Sequence, residues 1–144
     1  MREEGKIRHV GLSNVTIEQL AQAQQIVPIV TVQNHYNLAM RQSEHMTVAE
    51  SETMIDLCER QGIGFIPWSP LSFGELARSG GGLDRIAKRH NAQPGQIALA
   101  WLLKRSTTML PIPGTASVKH LEENMVGATI KLSQEEFDAL DRVS

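Results

Sequence analysis

The feature that most constrains this chain is a repeated alternation between short β-rich runs and longer stretches with helical periodicity. Runs that are typical of strands occupy residues 7–12, 29–33, 64–67 and 109–112. In the stretches that follow them, apolar residues recur at the spacing of one face of a helix. Since parallel strands need a crossover connection that is usually helical, the pattern predicts an α/β fold with four parallel βα units and a terminal helix.

Several residue types mark where the helices begin and end. Thr16 with Gln19 has the spacing of a capping box, and so does Ser133 with Glu136. Gly62 is suited to end a helix in the left-handed conformation. Helices are predicted from Thr16, over 48–61, over 83–90, over 94–105, from near Ser117, and from Ser133 through Leu140. No linker rich in Pro, Gly or Ser divides them, so residues 1–144 are predicted to form one domain.

Charge and composition exclude several classes of function. The formal net charge is −2 and no Lys/Arg cluster is longer than two residues, which argues against a nucleic-acid partner. The apolar stretch over 97–103 is far shorter than the roughly 20 residues of a membrane span, and the N-terminus is charged rather than signal-like. We therefore expect a cytoplasmic protein with no membrane contact. Its single cysteine, Cys58, excludes an internal disulfide and is expected to be buried.

Two architectures accommodate four parallel βα units: an open doubly wound sheet, and half of an eight-stranded barrel of about 250 residues. A doubly wound dinucleotide binder is expected to carry G-x-G-x-x-G directly after a strand, and this motif is absent. The glycines at 80–82 follow a loop and lack the Lys-Ser/Thr of a phosphate-binding loop, so we expect a mobile loop there. The hydrophobic pattern alone leaves both architectures open.

Polar residues, one tryptophan and one glycine follow the C-terminal ends of the four predicted strands. They are Ser13, Asn14, Gln33, Asn34, Trp68, Ser69, Gly114 and Thr115. In an eight-stranded barrel these strand ends form the active face. The blocks around them are GLSN at 11–14, VQNHYN at 32–37, PWSPL at 67–71, and IPGTAS with HLEEN over 112–124. In content, order and spacing these blocks make the whole chain resemble the aldo-keto reductases, from just before the family's fifth strand to the helix after its eighth.

The resemblance implies the C-terminal half of a (β/α)8 TIM barrel, which binds NADPH across the strand ends and moves hydride between it and a carbonyl. Ser13 and Asn14 match the pair that hydrogen-bonds the nicotinamide carboxamide. Gln33 matches a further ligand of that group, and a side-chain amide suits this because it can donate and accept at once. Trp68 stands where the family places an aromatic ring, commonly tyrosine, stacked on the nicotinamide.

The remaining matches concern the phosphates and the adenine. They are Ser69 and Leu71 in the loop over the pyrophosphate, Gly114, Thr115 and Ser117 in the turn near the 2′-phosphate, and Glu123 and Asn124 beside the adenine amino group. The turn precedes a predicted helix N-terminus, which favours an anion. Many members of the family have lysine at the position of Gly114 and arginine at that of His120, and both hold the 2′-phosphate. With Lys119 as a substitute cation, NADP is the expected cofactor and NAD stays open.

No residue of this chain matches the catalytic residues of the family that it resembles. Its reaction needs a tyrosine as general acid, with lysine, histidine and aspartate neighbours that tune the tyrosine's pKa. In the family these four residues lie in the first four βα units, and none of that half is present here. Tyr36 is the only tyrosine, and its block gives it no role in proton transfer. The histidines show no metal-ligand spacing, so we expect no metal, no catalytic residue and no turnover by this chain alone.

Three functions remain as hypotheses. The first is a fragment of an NADP-dependent oxidoreductase that reduces aldehydes or ketones, and residues 100–125 look closest to a bacterial branch that includes pyridoxal reductases. The second is a non-catalytic NADP-binding module, and the third is an unrelated flavodoxin-like domain. Half a barrel exposes strand edges and an apolar inner face, so self-association or pairing with a complementary N-terminal half is expected. Truncation or a split gene is a plausible origin for such a chain.

Overall fold

The structure is a computed structural model that describes residues 1–43, 45–78 and 83–142. Within these residues, three strands form a parallel sheet in the order β1-β2-β3. The strands are β1 (Val10–Ser13), β2 (Ile29–His35) and β3 (Gly64–Trp68). Ser13 pairs with Gln33, and His35 with Trp68, so the C-terminal ends of the strands meet at one edge of the sheet. The predicted parallel α/β class is confirmed, although β1 begins three residues later than expected.

Helices connect and follow the strands much as predicted. They are α1 (Ile17–Gln24), α2 (Val48–Gln61), a 3₁₀ segment (Ser72–Ala77), α3 (Asp84–Arg89), α4 (Pro94–Arg105), α5 (Val118–Gly127) and α6 (Gln134–Asp141). Both predicted capping boxes are present, at Thr16 and at Ser133. Gly62 ends α2 with a φ of 66°, a conformation that favours glycine because it has no Cβ. The glycines at 80–82 lie outside the described residues, so the loop predicted there stays a prediction.

The prediction of a fourth strand over 109–112 is wrong, because only one residue pair of strand pairing forms there. Met109 forms one isolated parallel bridge with Phe65. The Leu110 N–H donates to the Phe65 carbonyl at 2.8 Å, and pairing ends there. Pro111 and Pro113 follow, and since proline has no N–H and resists a place within a sheet, the ladder is not continued. The described sheet therefore has three strands, with residues 109–110 attached beside β3.

The core lies between the sheet and the helices, with Trp101 of α4 at its centre. This indole is fully buried and stacks on the Tyr36 ring at a centroid distance of 5.7 Å. Its Nε1–H donates to Asp141 Oδ1 at 3.0 Å, which ties α4 to the end of α6. Cys58 is buried in the same core, as predicted. No helix in the described part of the chain combines the length and apolar character that crossing a bilayer demands.

Candidate cofactor-binding site

The residues predicted to hold the nicotinamide come together at the ends of β1, β2 and β3. The Ser13 hydroxyl donates to Gln33 Oε1 at 3.4 Å, and the Asn14 backbone N–H donates to the Gln33 carbonyl at 2.9 Å. From β3, the Trp68 indole Nε1–H donates to Asn14 Oδ1 at 2.9 Å. The four residues therefore form two hydrogen-bonded side-chain pairs across three strand ends, joined by the backbone bond between Asn14 and Gln33. We name Ser13, Asn14, Gln33 and Trp68 the amide cluster.

Asn14 is held in an unusual backbone conformation. Its φ is 53°, in the left-handed region that asparagine tolerates better than most residues. The backbone of the next residue, Val15, is fixed by Asn34, whose Oδ1 accepts from the Val15 N–H at 3.1 Å and whose Nδ2 donates to the Val15 carbonyl at 2.8 Å. Asn34 is 1% exposed, so this contact is shielded from water. This positioning role was not predicted from the sequence, in which Asn34 is a polar residue at a strand end.

A second buried amide, Asn37, fixes the loop after β2. Its Oδ1 accepts from the backbone N–H groups of Ala39 and Met40 at 3.0 and 2.8 Å. Its Nδ2 donates to the Ser69 carbonyl at 2.9 Å and so joins this loop to the end of β3. No role was predicted for Asn37 from the sequence. The only signal in the sequence was its place in a run of polar residues. The structure shows that two amides of this run, Asn34 and Asn37, are fully buried.

Ser69 and the residues after it form the wall expected to cover the pyrophosphate. Ser69 has a φ of 56°, and its hydroxyl oxygen is buried with no hydrogen-bond partner in the part of the chain that the structure describes. Ser72, Phe73 and Gly74 also have positive φ values, of 48°, 52° and 93°. Consecutive non-glycine residues with a left-handed backbone are strained, and such strain is typical of binding segments. Phe73 is 87% exposed and lines a groove together with Trp68 and His35.

Most of the residues predicted for the adenosine end share a second groove, of about 500 Å³. From the predicted set, its lining includes Leu71, Gly114, Thr115, His120, Glu123 and Asn124. Lys119 also lines it and lies 3.8 Å from Glu123 Oε1, with 80% of its side chain exposed. Gly95 forms part of the wall, where an added Cβ would come within 3.3 Å of the Ala77 Cβ. The predicted adenosine residues are thus assembled, while their individual contacts stay predictions.

Ser117 is placed differently from the other predicted residues. It is the N-cap of α5, and its hydroxyl oxygen accepts from the His120 backbone N–H at 3.4 Å. The Ser117 N–H in turn donates to Thr115 Oγ1 at 3.1 Å. The hydroxyl therefore orders the turn and the first turn of α5 rather than lining the groove. Its proton is still free to be donated to an anion at this helix N-terminus.

Tyr36 lies away from these grooves, inside the core. It is fully buried, and its hydroxyl donates to Glu52 Oε1 at 2.6 Å. Arg105 Nε donates to the other oxygen of the same carboxylate at 2.6 Å. Burial, together with the hydrogen bond to Glu52, raises the pKa of Tyr36 well above its ordinary value. A phenol in this environment is a poor proton donor. Among the described residues there is also no cluster of side chains that could hold a metal ion.

Comparison with known proteins places the chain in a family. The sequence model of the Aldo/keto reductase family matches residues 1–144. The chain is 49% identical over 141 residues to an uncharacterized oxidoreductase of Schizosaccharomyces pombe, covering 98% of this chain and 44% of that protein. It is 43% identical over 144 residues to pyridoxine 4-dehydrogenase of Escherichia coli, covering 100% of this chain and 47% of that protein. The chain thus spans about half the length of these relatives.

Solved structures of aldo-keto reductases are also similar to this chain. A thermostable aldo-keto reductase in complex with the inhibitor epalrestat superposes with a TM-score of 0.85 and 33% identity, over 99% of this chain and 51% of that one. An aldo/keto reductase from Klebsiella pneumoniae in complex with NADP and acetate superposes with a TM-score of 0.79 and 29% identity, over 98% of this chain and 50% of that one. From the family match over all residues and from these relatives, we conclude that the chain belongs to the aldo/keto reductase family.

Proposed function

We propose that this chain is the cofactor-binding, C-terminal half of a (β/α)8 barrel and that it serves an NADP-dependent reductase of aldehydes or ketones. The observation that carries the proposal is the amide cluster, in which Asn14 and Trp68 are hydrogen-bonded to each other at the C-terminal ends of the strands. A separate groove gathers most of the residues expected to hold adenosine. The Klebsiella pneumoniae relative in complex with NADP supports the choice of cofactor. NADPH supplies the hydride for carbonyl reduction.

The side chains present fit a bound dinucleotide. Asn14, Ser13 and Gln33 offer both donors and acceptors to a carboxamide, and the Trp68 ring offers a flat face for a pyridine ring. The buried Ser69 hydroxyl has no partner among the described residues, and burial without a hydrogen bond is costly unless a ligand provides one. A phosphate oxygen would satisfy it. These residues bind and orient the cofactor, and they transfer no proton.

The chain is proposed to bind the cofactor without turning over substrate. Tyr36 is the only tyrosine, and it is fixed in the core by Glu52. Within the described residues, the sheet has no strand beyond β1 on one side or beyond residues 109–110 on the other. Leu110 and Ile112 are 51% and 47% exposed beside that second edge. Such exposed apolar residues and strand edges support pairing with a complementary half that brings the general acid, or self-association.

The proposed substrate is a small carbonyl compound, with pyridoxal as the specific candidate. The support is the 43% identity to pyridoxine 4-dehydrogenase of Escherichia coli. An open groove of about 540 Å³ beside Trp68, lined in part by His35, Met40 and Gln42, offers space for a molecule of that size. Its mixed apolar and polar lining suits an aromatic ring with polar substituents.

Fluorescence titration with NADPH, NADH and flavin mononucleotide tests the proposal. We expect saturable quenching of Trp68 emission by NADPH, weaker binding of NADH, no binding of flavin, and no oxidation of NADPH when pyridoxal is added. Mixing the chain with the N-terminal half of the Escherichia coli relative should then restore carbonyl reduction. Cofactor binding without restored reduction would favour a non-catalytic binding module, and absence of NADPH binding would refute the proposal.

A further inference from the structure

Arg41 lies in the loop after β2, between two residues that line the groove proposed for the substrate. These neighbours are Met40 and Gln42, and the groove has a volume of about 540 Å³ beside Trp68. The Arg41 side chain is 14% exposed and contacts the C-terminal end of α6 instead of lining the groove. One short segment therefore carries both a wall of the groove and a contact with α6.

The contact between Arg41 and α6 combines charge, hydrogen bonding and an aromatic ring. Arg41 Nη2 lies 3.1 Å from Asp141 Oδ1 and also donates to the Asp141 carbonyl at 3.1 Å. The guanidinium carbon Cζ lies 4.9 Å from the centroid of the Trp101 ring, which is within the range of a cation–π contact. The Trp101 Nε1–H donates to the same Asp141 oxygen at 3.0 Å. Because the guanidinium is planar, these contacts fix its orientation as well as its distance from α6.

Trp101 joins the loop to α6 independently of Arg41. Its ring stacks on Tyr36, which directly follows β2, at a centroid distance of 5.7 Å and an angle of 17°. It also stacks on Phe137 of α6 at 5.8 Å and 13°. A variant that loses only the guanidinium keeps this aromatic packing, so we expect it to fold.

The residue after Arg41 connects the loop to the Trp68 ring. A carbonyl oxygen can only accept, so the Gln42 carbonyl receives a hydrogen bond from the His35 Nδ1–H at 3.4 Å. The His35 ring packs on the Trp68 ring at a centroid distance of 4.2 Å and a tilt of 39°. A displacement of Gln42 should therefore be felt first by His35 and then by Trp68.

We propose that Arg41 is a positioning residue through which α6 sets the shape of the groove beside Trp68, and with it the small aromatic compound that the groove accepts. The inference rests on the proposed function, which places the substrate in this groove, and it deepens that function by assigning specificity to a residue outside the groove. Asn37 fixes the first part of the loop as far as Met40. Arg41 fixes the part that continues to Gln42.

The indole N–H groups provide two separate reporters of this effect, because the chain has two tryptophans. In a proton–nitrogen correlation NMR spectrum each indole gives one cross-peak, and Trp68→Phe assigns them. Arg41→Met keeps an unbranched side chain and removes the guanidinium. It should shift the Trp101 peak through direct contact, and the Trp68 peak by way of Gln42 and His35. Arg41→Lys keeps the charge without the planar fork and should shift the Trp68 peak less.

Lys104→Met is the matched control, because it removes another cation that holds the region of α6. Lys104 Nζ donates to the Leu132 carbonyl at 3.0 Å and lies 6.0 Å from the centroid of the Phe137 ring. It belongs to α4 and not to the loop after β2. The control should loosen α6 and leave the Trp68 peak in place. A Trp68 peak that stays in place in Arg41→Met, or that moves equally in Lys104→Met, overturns the inference.

Calorimetric titration with pyridoxine, with NADPH already bound, measures the effect on the groove. Pyridoxine has no aldehyde, so it forms no imine with lysine and accepts no hydride from NADPH. Arg41→Met should weaken pyridoxine binding by about 3-fold to 10-fold, because the loop must then be ordered on binding. NADPH binding should weaken less, since the adenosine groove contains no residue of this loop. Lys104→Met should change neither affinity.

A double variant tests whether Arg41 acts through α6. Asp141→Ala removes one acceptor and should weaken pyridoxine binding in part, while Arg41→Met with Asp141→Ala should be no weaker than Arg41→Met alone. Additive losses, or an unchanged pyridoxine affinity in Arg41→Met, overturn the inference while NADPH binding still supports the proposed function. Absence of pyridoxine binding by the wild-type chain with bound NADPH also overturns the inference. Absence of NADPH binding by the wild-type chain refutes the proposed function.

Discussion

Replacing Asn34 with alanine should destabilise the chain and loosen the amide cluster. The substitution removes two hydrogen bonds to the Val15 backbone, one to its N–H at 3.1 Å and one to its carbonyl at 2.8 Å, from a side chain that is 1% exposed. At about 0.5–1.5 kcal/mol for each bond, the free energy of unfolding should fall by roughly 1–3 kcal/mol. That is a large part of the about 5–15 kcal/mol by which a typical domain is stable.

Urea denaturation followed by circular dichroism measures this change. The midpoint should move to lower urea with an unchanged slope, and ~2 kcal/mol corresponds to a fall in Tm on the order of 5–10 °C for a chain of this size. Gln24→Ala is a matched control, since its amide makes one exposed hydrogen bond, to Gln61 Oε1 at 2.7 Å. The control should change stability by less than about 0.5 kcal/mol. Equal effects in the two variants would refute the view that Asn34 is a buried clamp.

The same variant, Asn34→Ala, tests whether the Asn34 contacts also support cofactor binding. Without the Asn34 contacts, the peptide after Asn14 is free to leave the left-handed conformation, which has a φ of 53° at Asn14. NADPH affinity should then fall by about 3-fold to 10-fold under conditions in which the variant is still folded, because ordering the loop now opposes binding. Calorimetric titration at low temperature separates this loss from unfolding. Unaltered affinity in a folded Asn34→Ala chain would show that the clamp serves stability alone.

Three further predictions concern charge and reactivity. A backbone hydrogen bond from Ser133 lowers the pKa of Glu136, so this carboxylate stabilises the fold at pH values above the ordinary carboxyl pKa. The stabilisation is lost as the pH falls through the lowered pKa. In a plot of Tm against pH, Glu136→Gln should therefore flatten the decline on the acid side. Burial raises the pKa of Cys58 to about 11, so a thiol reagent at pH 8 should label it only after denaturation. Gly114→Lys with His120→Arg should raise the preference for NADPH over NADH by about tenfold or more, measured as a ratio of Kd values, since a Cβ at position 114 meets nothing within 4 Å.

Local signals in the sequence were sufficient for the helices. Thr16 and Ser133 identified their capping boxes because both partners lie three residues apart and need nothing from the rest of the chain. The strand predicted over 109–112 failed for a reason that was visible in the sequence. Its apolar residues suggested a buried strand, whereas Pro111 and Pro113 lack the N–H groups that a parallel ladder requires.

The assembly of the site depended on contacts between residues distant in sequence. The resemblance identified which residues belong together, and the strand ends brought Ser13, Asn14, Gln33 and Trp68 to one edge. The roles of the buried amides could not be predicted in this way. The hydrogen bonds from Asn34 to Val15 span 19 residues, and the bond from Trp68 to Asn14 spans 54. No local pattern states which polar residue at a strand end faces the ligand and which is buried beneath it.

Two buried amides hold the loops of the candidate site in place. Asn34 fixes the peptide after β1, and Asn37 joins the loop after β2 to Ser69 at the end of β3. Both contacts lie within the chain, so the conformations of these loops do not depend on strands that a second half would supply. Under the proposed function, a complementary half would supply the general acid, whereas the groups proposed to orient a nicotinamide are already held by hydrogen bonds to their own neighbours.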